Sequence, residues 1–303
     1  MRRLLKPVVE PVRALTGSKT VDSRLLNVVG VQVARALAAQ VAYRTRTYEV
    51  DLCHDAVEEL RDAGCVVVPS LLDDTLLERA RGEALEALEN ERPACSVHDS
   101  KGAQVEQVDL RRVDRSRYPA LVEIVENPVI TALFSGAEGQ PVDPWARLSA
   151  VERVTQLAAD LHDLESDLHT DTFFNTHKAW LYLQDVQLHH GPFVFVPRSH
   201  RLTNDRLHRI YDESVTTNRG SRRITADELA AQGGSERIFT CPANTLVAAN
   251  TCGFHRRRRG MEGQTRIAVH FSVRSNPFFP HWLAGDRWLS RRNPMVRWLA
   301  GSG

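Results

Sequence analysis

The chain has 303 residues, of which 42% are hydrophobic and 25% are charged, the proportions of an ordinary globular protein. Its 39 Lys and Arg residues nearly balance 38 Asp and Glu residues, so no overall charge recruits nucleic acid or an anionic membrane. The five cysteines are scattered, odd in number and never spaced as Cys-x-x-Cys, which argues against a disulfide framework or a zinc knuckle and predicts a cytoplasmic location.

An N-terminal helix is predicted from Asp22 to about Arg44, with Asp22 or Ser23 as its N-cap. Its apolar residues go most of the way round, which is typical of a helix that is buried against a larger body or lies against a partner. It is no candidate for a transmembrane span, because a bilayer centre tolerates poorly its polar residues Asn27, Gln32, Arg35 and Gln40. We also expect no export signal, because Lys6 and Pro7 break the apolar run that such a signal needs.

The next predicted elements are one short strand and two helices. Residues 65–68 have the β-branched composition of a strand. One helix is predicted from its cap Asp73 to about Glu89, and another from about Ser149 to Leu164, because apolar residues recur at helical spacing in both segments.

After Leu168 the pattern changes to short β-like runs that are separated by glycine, proline and other turn residues. The runs are residues 179–183, 193–196, 245–249 and 266–273. Many short strands with this punctuation are typical of a sandwich or jelly roll. The sequence therefore predicts a mainly β fold with flanking helices.

A candidate metal site begins with His169 and Asp171, which lie two residues apart. On an extended chain alternate side chains point to the same face, so these two can converge on one ion. His255 offers a third ligand near the end of another β run. Two histidines and one carboxylate form the facial triad of non-haem Fe(II) oxygenases. The His-x-Asp motif alone is weak evidence, because a hydrogen-bonded strand histidine explains His169 equally well.

Arg266 stands eleven positions after His255, at the start of a strongly β-like run. A 2-oxoglutarate site needs a cation at the far end of its pocket, and the planar fork of arginine can meet both oxygens of the distal carboxylate. A strand-end arginine in water is the alternative. The order His-x-Asp, long gap, His and then Arg is far more specific than any of its parts.

Segments 62–72, 168–172 and 191–200, together with His255 and Arg266, resemble the phytanoyl-CoA dioxygenase family of Fe(II)- and 2-oxoglutarate-dependent oxygenases. The resemblance runs from about residue 62 to residue 277. It implies a double-stranded β-helix core (a jelly roll, cupin-like) and the cofactors Fe(II), 2-oxoglutarate and O₂.

The same resemblance implies roles for individual residues. Iron is expected on His169, Asp171 and His255, and 2-oxoglutarate is expected to be anchored by Arg266. Trp180 is expected beside the cosubstrate, with a plain core aromatic as the alternative.

Two features depart from the family pattern. Arg257 stands two positions after His255, where some members have a serine that assists the cosubstrate. Some members also use a lysine from an earlier strand, for which Lys101 and Lys178 are the candidates here.

The implied reaction is hydroxylation of an unactivated C–H bond in a small-molecule, acyl or lipid-type substrate, with release of succinate and CO₂. Desaturation, epoxidation or ring closure in natural-product biosynthesis are alternatives on the same scaffold. Halogenation is not expected, because Asp171 fills the position that halogenases leave open for chloride. A non-catalytic β-helix binding module and a cupin-like metalloenzyme without 2-oxoglutarate are disfavoured by the triad and by Arg266.

Four arginines, at positions 256–259, follow His255. They either hold an anionic group of the substrate at the pocket rim or form a solvated basic hairpin. His177, His189 and His190 are expected to be solvated residues in or near loops at the pocket mouth.

The chain is predicted to consist of an N-terminal helical extension (residues 1–48), an oxygenase domain with helical insertions (residues 49–280) and a C-terminal amphipathic tail (residues 281–303). The tail interleaves tryptophans with arginines, which is the composition of an interfacial membrane segment. Two interpretations stay open: packing over the β core or a homodimer contact, and peripheral membrane contact.

Overall fold

The structure of the protein is a computed structural model, and it describes residues 21, 23–99, 102–158, 163–216, 222–231 and 233–278. Its helices are α1 (Arg24–Val28), α2 (Val31–Thr45), α3 (His54–Ala63), α4 (Asp74–Asn90), α5 (Pro119–Val125), α6 (Pro128–Glu138), α7 (Asn204–Thr216) and α8 (Ala226–Ala231). Its strands are β1 (Cys65–Val68), β2 (Cys95–Asp99), β3 (Ala103–Asp109), β4 (Leu148–Gln156), β5 (His169–Thr170), β6 (His177–Tyr182), β7 (Phe193–Phe195), β8 (Arg222–Arg223), β9 (Arg237–Ile238), β10 (Thr245–Asn250), β11 (His255–Arg257) and β12 (Thr265–Val273). The predicted tail, residues 281–303, lies outside the described residues, so its contacts stay a prediction.

Seven strands form a large antiparallel sheet in the order β1-β10-β6-β12-β4-β3-β2. At its centre, the register of β6 and β12 places Trp180 opposite His270 and Tyr182 opposite Ala268. Because side chains alternate between the two faces of a sheet, these four residues lie on one face. We call this face the inner face.

Five short strands form a second antiparallel sheet in the order β8-β5-β11-β7-β9. The small sheet covers the inner face of the large one, since Phe193 and Phe195 of β7 pack with Trp180, Tyr182 and Val247 in one buried cluster. Two facing antiparallel sheets with flanking helices are the architecture of a double-stranded β-helix, and the predicted fold class is confirmed. The space between the two sheets is called the interior below.

Helices cover the opposite, outer face of the large sheet. Leu181, Val269 and Phe271 point to this side and are buried in a core with side chains of α3, α4, α5 and α6. Burial of each such side chain stabilises the fold by roughly 1.5–3 kcal/mol. The large sheet is therefore packed on both faces and provides a rigid base for the residues of the interior.

The N-terminal helical region is two helices rather than the single predicted helix. Ser23 caps α1 by accepting a hydrogen bond from the backbone N–H of Leu26. Gly30, with a φ of 84°, then separates α1 from α2. This left-handed conformation suits glycine because it has no Cβ atom, and it breaks the helix although the apolar pattern continues.

The segment from Leu148 to Gln156 is β4, so the helix predicted from Ser149 to Leu164 is wrong. β4 is hydrogen-bonded to β3 on one side and to β12 on the other. Val151 belongs to the outer core, whereas Glu152 faces the interior. Both faces of this central strand are covered, and its buried valines are divided between them, Val151 on the outer face and Val154 on the inner face. The sequence therefore lacks the alternation of a half-exposed strand.

One segment of the described residues, Pro119–Glu138, has the length and composition of a membrane-spanning helix, with a mean hydropathy of 1.3. The segment consists of α5 and α6, which are divided at Asn127, the side chain that caps α6. Its apolar side chains, Leu121, Ile124, Ile130 and Leu133 among them, are buried in the outer core. We therefore assign it to the core beneath the large sheet.

The outer core generates a stability prediction. Phe271→Ala removes a fully buried ring that packs edge-on against Phe134, and we expect the free energy of unfolding to fall by about 3–5 kcal/mol. Chemical denaturation of the variant measures this loss. Val97→Ala, at a side chain that is 56% exposed, is the control and should change the value by less than about 0.5 kcal/mol. Similar stabilities of the two variants would contradict the assigned core.

Candidate metal and cosubstrate site

Two histidines face each other across the small sheet. The antiparallel register of β5 and β11 places His169 directly opposite His255. Cross-strand partners share a face, so both imidazoles project to the same side, with ring centroids 4.5 Å apart. Both side chains are buried. Strand pairing thus brings together two residues that are far apart in the sequence.

Backbone carbonyl groups fix the orientation of both imidazoles. Nδ1 of His169 lies 2.8 Å from the carbonyl oxygen of Asp167, and Nδ1 of His255 lies 3.0 Å from that of Gly253. A carbonyl oxygen can only accept, so each Nδ1 is the protonated donor. Each Nε2 is therefore directed away from these backbone contacts and available as a metal ligand.

Asp171 brings a carboxylate to the two imidazoles. Its Oδ1 lies 4.0 Å from Nε2 of His169 and 3.7 Å from Nε2 of His255. Its backbone N–H donates to the carbonyl of Thr251 at 2.9 Å, which ties it to the segment before β11. Nζ of Lys178 lies 2.7 Å from the other carboxylate oxygen. Within the described parts of the chain, these three residues form the one group of His, Cys, Asp and Glu side chains that could share a metal ion.

The electrostatic environment favours the metal-binding forms of two ligands. Burial lowers the pKa of His255 to about 4, so its imidazole is neutral near pH 7. Burial alone would raise the pKa of Asp171, but the charge and hydrogen bond of Lys178, together with His255 and the hydroxyl of Thr251, outweigh burial, and the pKa falls well below its usual range. A neutral imidazole and an ionised carboxylate are the states that coordinate a divalent metal.

Positive charge is also favoured at His169. Burial lowers the pKa of this imidazole, but the hydrogen bond and the charge of Glu165 have the larger combined effect, and the net pKa is raised. Oε2 of Glu165 lies 3.3 Å from Nε2 of His169, the same atom that the triad requires as a ligand. A metal cation at Nε2 would supply the positive charge that this carboxylate stabilises.

Arg266 lies at the start of β12 and is only 7% exposed, so it is not a solvated strand end. Its guanidinium carbon lies 6.0 Å from the ring centroid of Tyr182. Neither Nη1 of Arg266 nor the hydroxyl of Tyr182 has a hydrogen-bond partner. A buried polar group without a partner costs about 1–3 kcal/mol, so this pair indicates a site for an acceptor such as a carboxylate.

Strand β6 connects the triad with Arg266. Lys178, Trp180 and Tyr182 lie on the inner face of this strand at alternate positions. Lys178 contacts Asp171 at one end, and Tyr182 lies beside Arg266 about 13 Å further along the strand. The five predicted site residues therefore line one interior: His169, Asp171, Trp180, His255 and Arg266.

Trp180 occupies the middle of this row. It stacks on His270 with ring centroids 5.4 Å apart, and it lies 4.7 Å from the ring of Phe193 on the small sheet. Trp180 is thus a packed aromatic side chain of the interior, and it lies between Asp171 and Arg266.

The other candidate residues lie in different environments. Lys178 contacts the triad, whereas Lys101 lies outside the described residues. Arg256 and Arg257 are each paired with a carboxylate, so the start of the arginine run is not a solvated hairpin. His177 is fully buried in β6 with Nδ1 2.6 Å from a carboxylate oxygen of Glu138, so its prediction as a solvated loop residue is wrong.

Tyr182 and Glu165 were not among the site residues predicted from the sequence. Tyr182 could have been found from Trp180, because a residue two positions along a strand lies on the same face. Glu165 has no such signal, since its approach to His169 depends on the short 3₁₀ turn Leu164–Ser166 between β4 and β5.

The residues present fit Fe(II) and 2-oxoglutarate. Two imidazoles and one carboxylate with open positions are the donor set of non-haem Fe(II) oxygenases. The unpaired Nη1 of Arg266 and hydroxyl of Tyr182 are suitable donors for the distal carboxylate of 2-oxoglutarate.

The sequence profile of the phytanoyl-CoA dioxygenase family matches residues 60–243. The chain belongs to this family. The match includes His169, Asp171 and Trp180 but ends before His255 and Arg266, which only the fold brings to the site. No curated protein sequence matches the chain.

Several solved structures have a similar fold, and two of them are enzymes of nogalamycin biosynthesis. One is the epimerase SnoN in complex with Fe³⁺, α-ketoglutarate and nogalamycin RO, at 19% identity and a TM-score of 0.52, covering 72% of this chain and 81% of that chain. Others are the carbocyclase SnoK from nogalamycin biosynthesis (20% identity, TM-score 0.49, 73% and 83%) and HygX from Streptomyces hygroscopicus with nickel and 2-oxoglutarate bound (19%, 0.48, 73% and 86%). The likeness to SnoN shows a shared fold.

The geometry of the triad predicts metal binding. His169→Ala, Asp171→Ala and His255→Ala should each abolish tight binding of Mn(II), a redox-stable substitute for Fe(II), because a three-ligand site has no spare donor. Electron paramagnetic resonance of free Mn(II) measures binding, and far-UV circular dichroism should show an unchanged fold. His54→Ala, at an exposed histidine, is the control. Tight binding by any one triad variant would remove that residue from the site.

Proposed function

We propose that this oxygenase hydroxylates an unactivated C–H bond of a small-molecule, acyl or lipid-type substrate, with iron on His169, Asp171 and His255. The observation that supports this proposal best is the buried guanidinium of Arg266, whose Nη1 has no partner, in the same interior as the triad. Neither a structural metal site nor a plain binding module requires an unpaired buried cation beside a three-ligand site with open positions.

Each residue of the interior has a proposed role. Bound iron with 2-oxoglutarate and O₂ supplies the oxidising power for C–H attack, with release of succinate and CO₂. His169, Asp171 and His255 would hold the metal, and this donor set leaves positions free for 2-oxoglutarate and O₂. Arg266 and Tyr182 bind the distal carboxylate, Lys178 holds Asp171 ionised, and Trp180 excludes water between them.

The proposed outcome is hydroxylation rather than halogenation, because Asp171 occupies the position that chloride would need. Desaturation, epoxidation and ring closure use the same residues. The fold does not select among these outcomes, since SnoN, which shares it, is an epimerase.

The ion pairs of Arg256 and Arg257 bear on the charge of the substrate. Arg256 is paired with Glu236 and Arg257 is paired with Asp163, so two of the four arginines already have carboxylate partners within the chain. We therefore favour a substrate without an obligatory phosphate.

A cytoplasmic location is proposed because all five cysteines are free thiols.

Formation of succinate tests the proposed function. Purified protein with Fe(II), 2-oxoglutarate, ascorbate and air should release succinate slowly even without a substrate. Omission of Fe(II), of 2-oxoglutarate or of O₂ should stop succinate release. Chromatographic detection of succinate is the measurement. Bound Fe(II) without any succinate would favour the non-catalytic binding module.

Arg266 generates a quantitative prediction. Arg266→Ala removes a charge-assisted hydrogen bond of about 1.5–3 kcal/mol, so 2-oxoglutarate should bind the Mn(II)-loaded variant about 10- to 150-fold more weakly. Lysine should restore part of the affinity, because it keeps the charge but not the planar fork. Isothermal titration calorimetry gives the dissociation constants. Arg153→Ala, which breaks an ion pair with Glu106 on the same sheet, is the control and should bind normally. Unchanged affinity in Arg266→Ala would assign the distal carboxylate to another cation.

A further inference from the structure

Strand β11 contains two successive arginines that are paired with carboxylates on opposite faces. Arg256 points away from the interior and meets Glu236 through two contacts of 3.1 and 2.7 Å. Arg257 shares the face of His255, and its Nη2 and Nε lie 2.8 and 3.3 Å from Oδ2 of Asp163. The side chains of Arg257 and Asp163 are 9% and 3% exposed, against 22% and 25% for the outer pair.

Asp163 also caps the short turn that precedes β5. Its Oδ1 accepts a hydrogen bond from the backbone N–H of Glu165 at 3.0 Å and so caps the 3₁₀ turn Leu164–Ser166. Its backbone carbonyl accepts the hydroxyl of Ser166 at 2.6 Å. One carboxylate oxygen therefore binds β11, and the other holds the turn.

The turn leads directly to a metal ligand. The carbonyl of Asp167, just after the turn, accepts the Nδ1–H of His169 and sets the orientation of that ring. Glu165, within the turn, approaches Nε2 of the same ring. A shift of the turn would therefore move both groups that determine where Nε2 points.

The neighbourhood leaves Asp163 little freedom. Gly102 lies so close that a Cβ atom at that position would overlap the Cβ of Asp163. On the exposed side, Arg223 donates to the carbonyl of Leu164 at 3.1 Å and lies 3.4 Å from the carboxylate of Asp167. Arg257 thus holds the turn from the interior, and Arg223 holds it from outside.

We propose that Arg257 is a positioning residue of the metal site, which fixes the orientation of His169 through Asp163 and the turn Leu164–Ser166. The proposal rests on the proposed function, because it assumes that His169 and His255 bind one metal. Strand β11 would then supply one ligand directly and hold the other in place. In this role Arg257 is a partner of Asp163 and is not the cation that receives the cosubstrate.

Burial makes the two arginine pairs unequal. Removal of one partner from a buried ion pair leaves an uncompensated charge, and the segment that contains it must rearrange. The Arg256–Glu236 pair is partly exposed and contributes less, because water screens both charges. Arg256 is therefore a matched control for Arg257: it is the next residue on the same strand, with the same type of partner on the other face.

The test is a Mn(II) titration of full-length wild type, Arg257→Ala, Arg257→Lys, Asp163→Asn and Arg256→Ala. Loss of a partner that orients a ligand weakens metal binding about 10- to 100-fold, so Arg257→Ala should bind at least about tenfold more weakly. Asp163→Asn should shift in the same direction, although asparagine can still cap the turn. Arg257→Lys should recover part of the affinity, and Arg256→Ala should stay within about twofold of wild type. A thermal melt of each variant separates loss of affinity from loss of fold.

Equal Mn(II) affinity in Arg257→Ala and Arg256→Ala would overturn the proposal. Weaker 2-oxoglutarate binding with unchanged Mn(II) affinity would also overturn it, by making Arg257 a direct cosubstrate contact. If Arg257→Ala does not fold, wild-type Mn(II) affinity in both Arg257→Lys and Asp163→Asn would overturn the proposal. Failure of the wild type to bind Mn(II) would instead contradict the proposed function.

Discussion

The candidate site depends on one short piece of strand pairing, the antiparallel contact that places His169 opposite His255. Each strand contributes only a few residues, so the pairing has little intrinsic stability and relies on the packed large sheet behind it. A slip of one residue would turn one imidazole out of the interior, since neighbouring side chains point to opposite faces. The contacts of Asp171 with Thr251 and of Arg257 with Asp163 both resist such a slip.

Charge in the interior is arranged in two separate regions. Near the triad, the carboxylates of Asp171 and Glu165 surround the imidazole nitrogens, which favours a bound cation. Near the start of β12, the unpaired donors of Arg266 and Tyr182 favour a bound anion. A cosubstrate that chelates a metal at one end and presents a carboxylate at the other satisfies both regions. Trp180, on the inner face of β6, lies between the two regions.

The sequence predicted those features that depend on local spacing. The cap at Asp73 and most strands after Leu168 are confirmed. His169, Asp171, His255 and Arg266 were predicted from the order of motifs along the chain, and the structure brings them to one interior. The helix predicted from Ser149 was wrong because a central strand covered on both faces loses its alternation. Pairs such as Arg257 with Asp163, or His177 with Glu138, join residues 94 and 39 positions apart, and only the strand register decides that they meet.

One interior is proposed to bind Fe(II) and 2-oxoglutarate together, and an anaerobic titration tests this binding most directly. Addition of Fe(II) and then 2-oxoglutarate to the wild-type protein should produce a visible metal-to-ligand charge-transfer band that requires both components. The band should be absent from His255→Ala, and Arg266→Ala should need more 2-oxoglutarate to produce it. No band in the wild type, or a full band in His255→Ala, would contradict the account.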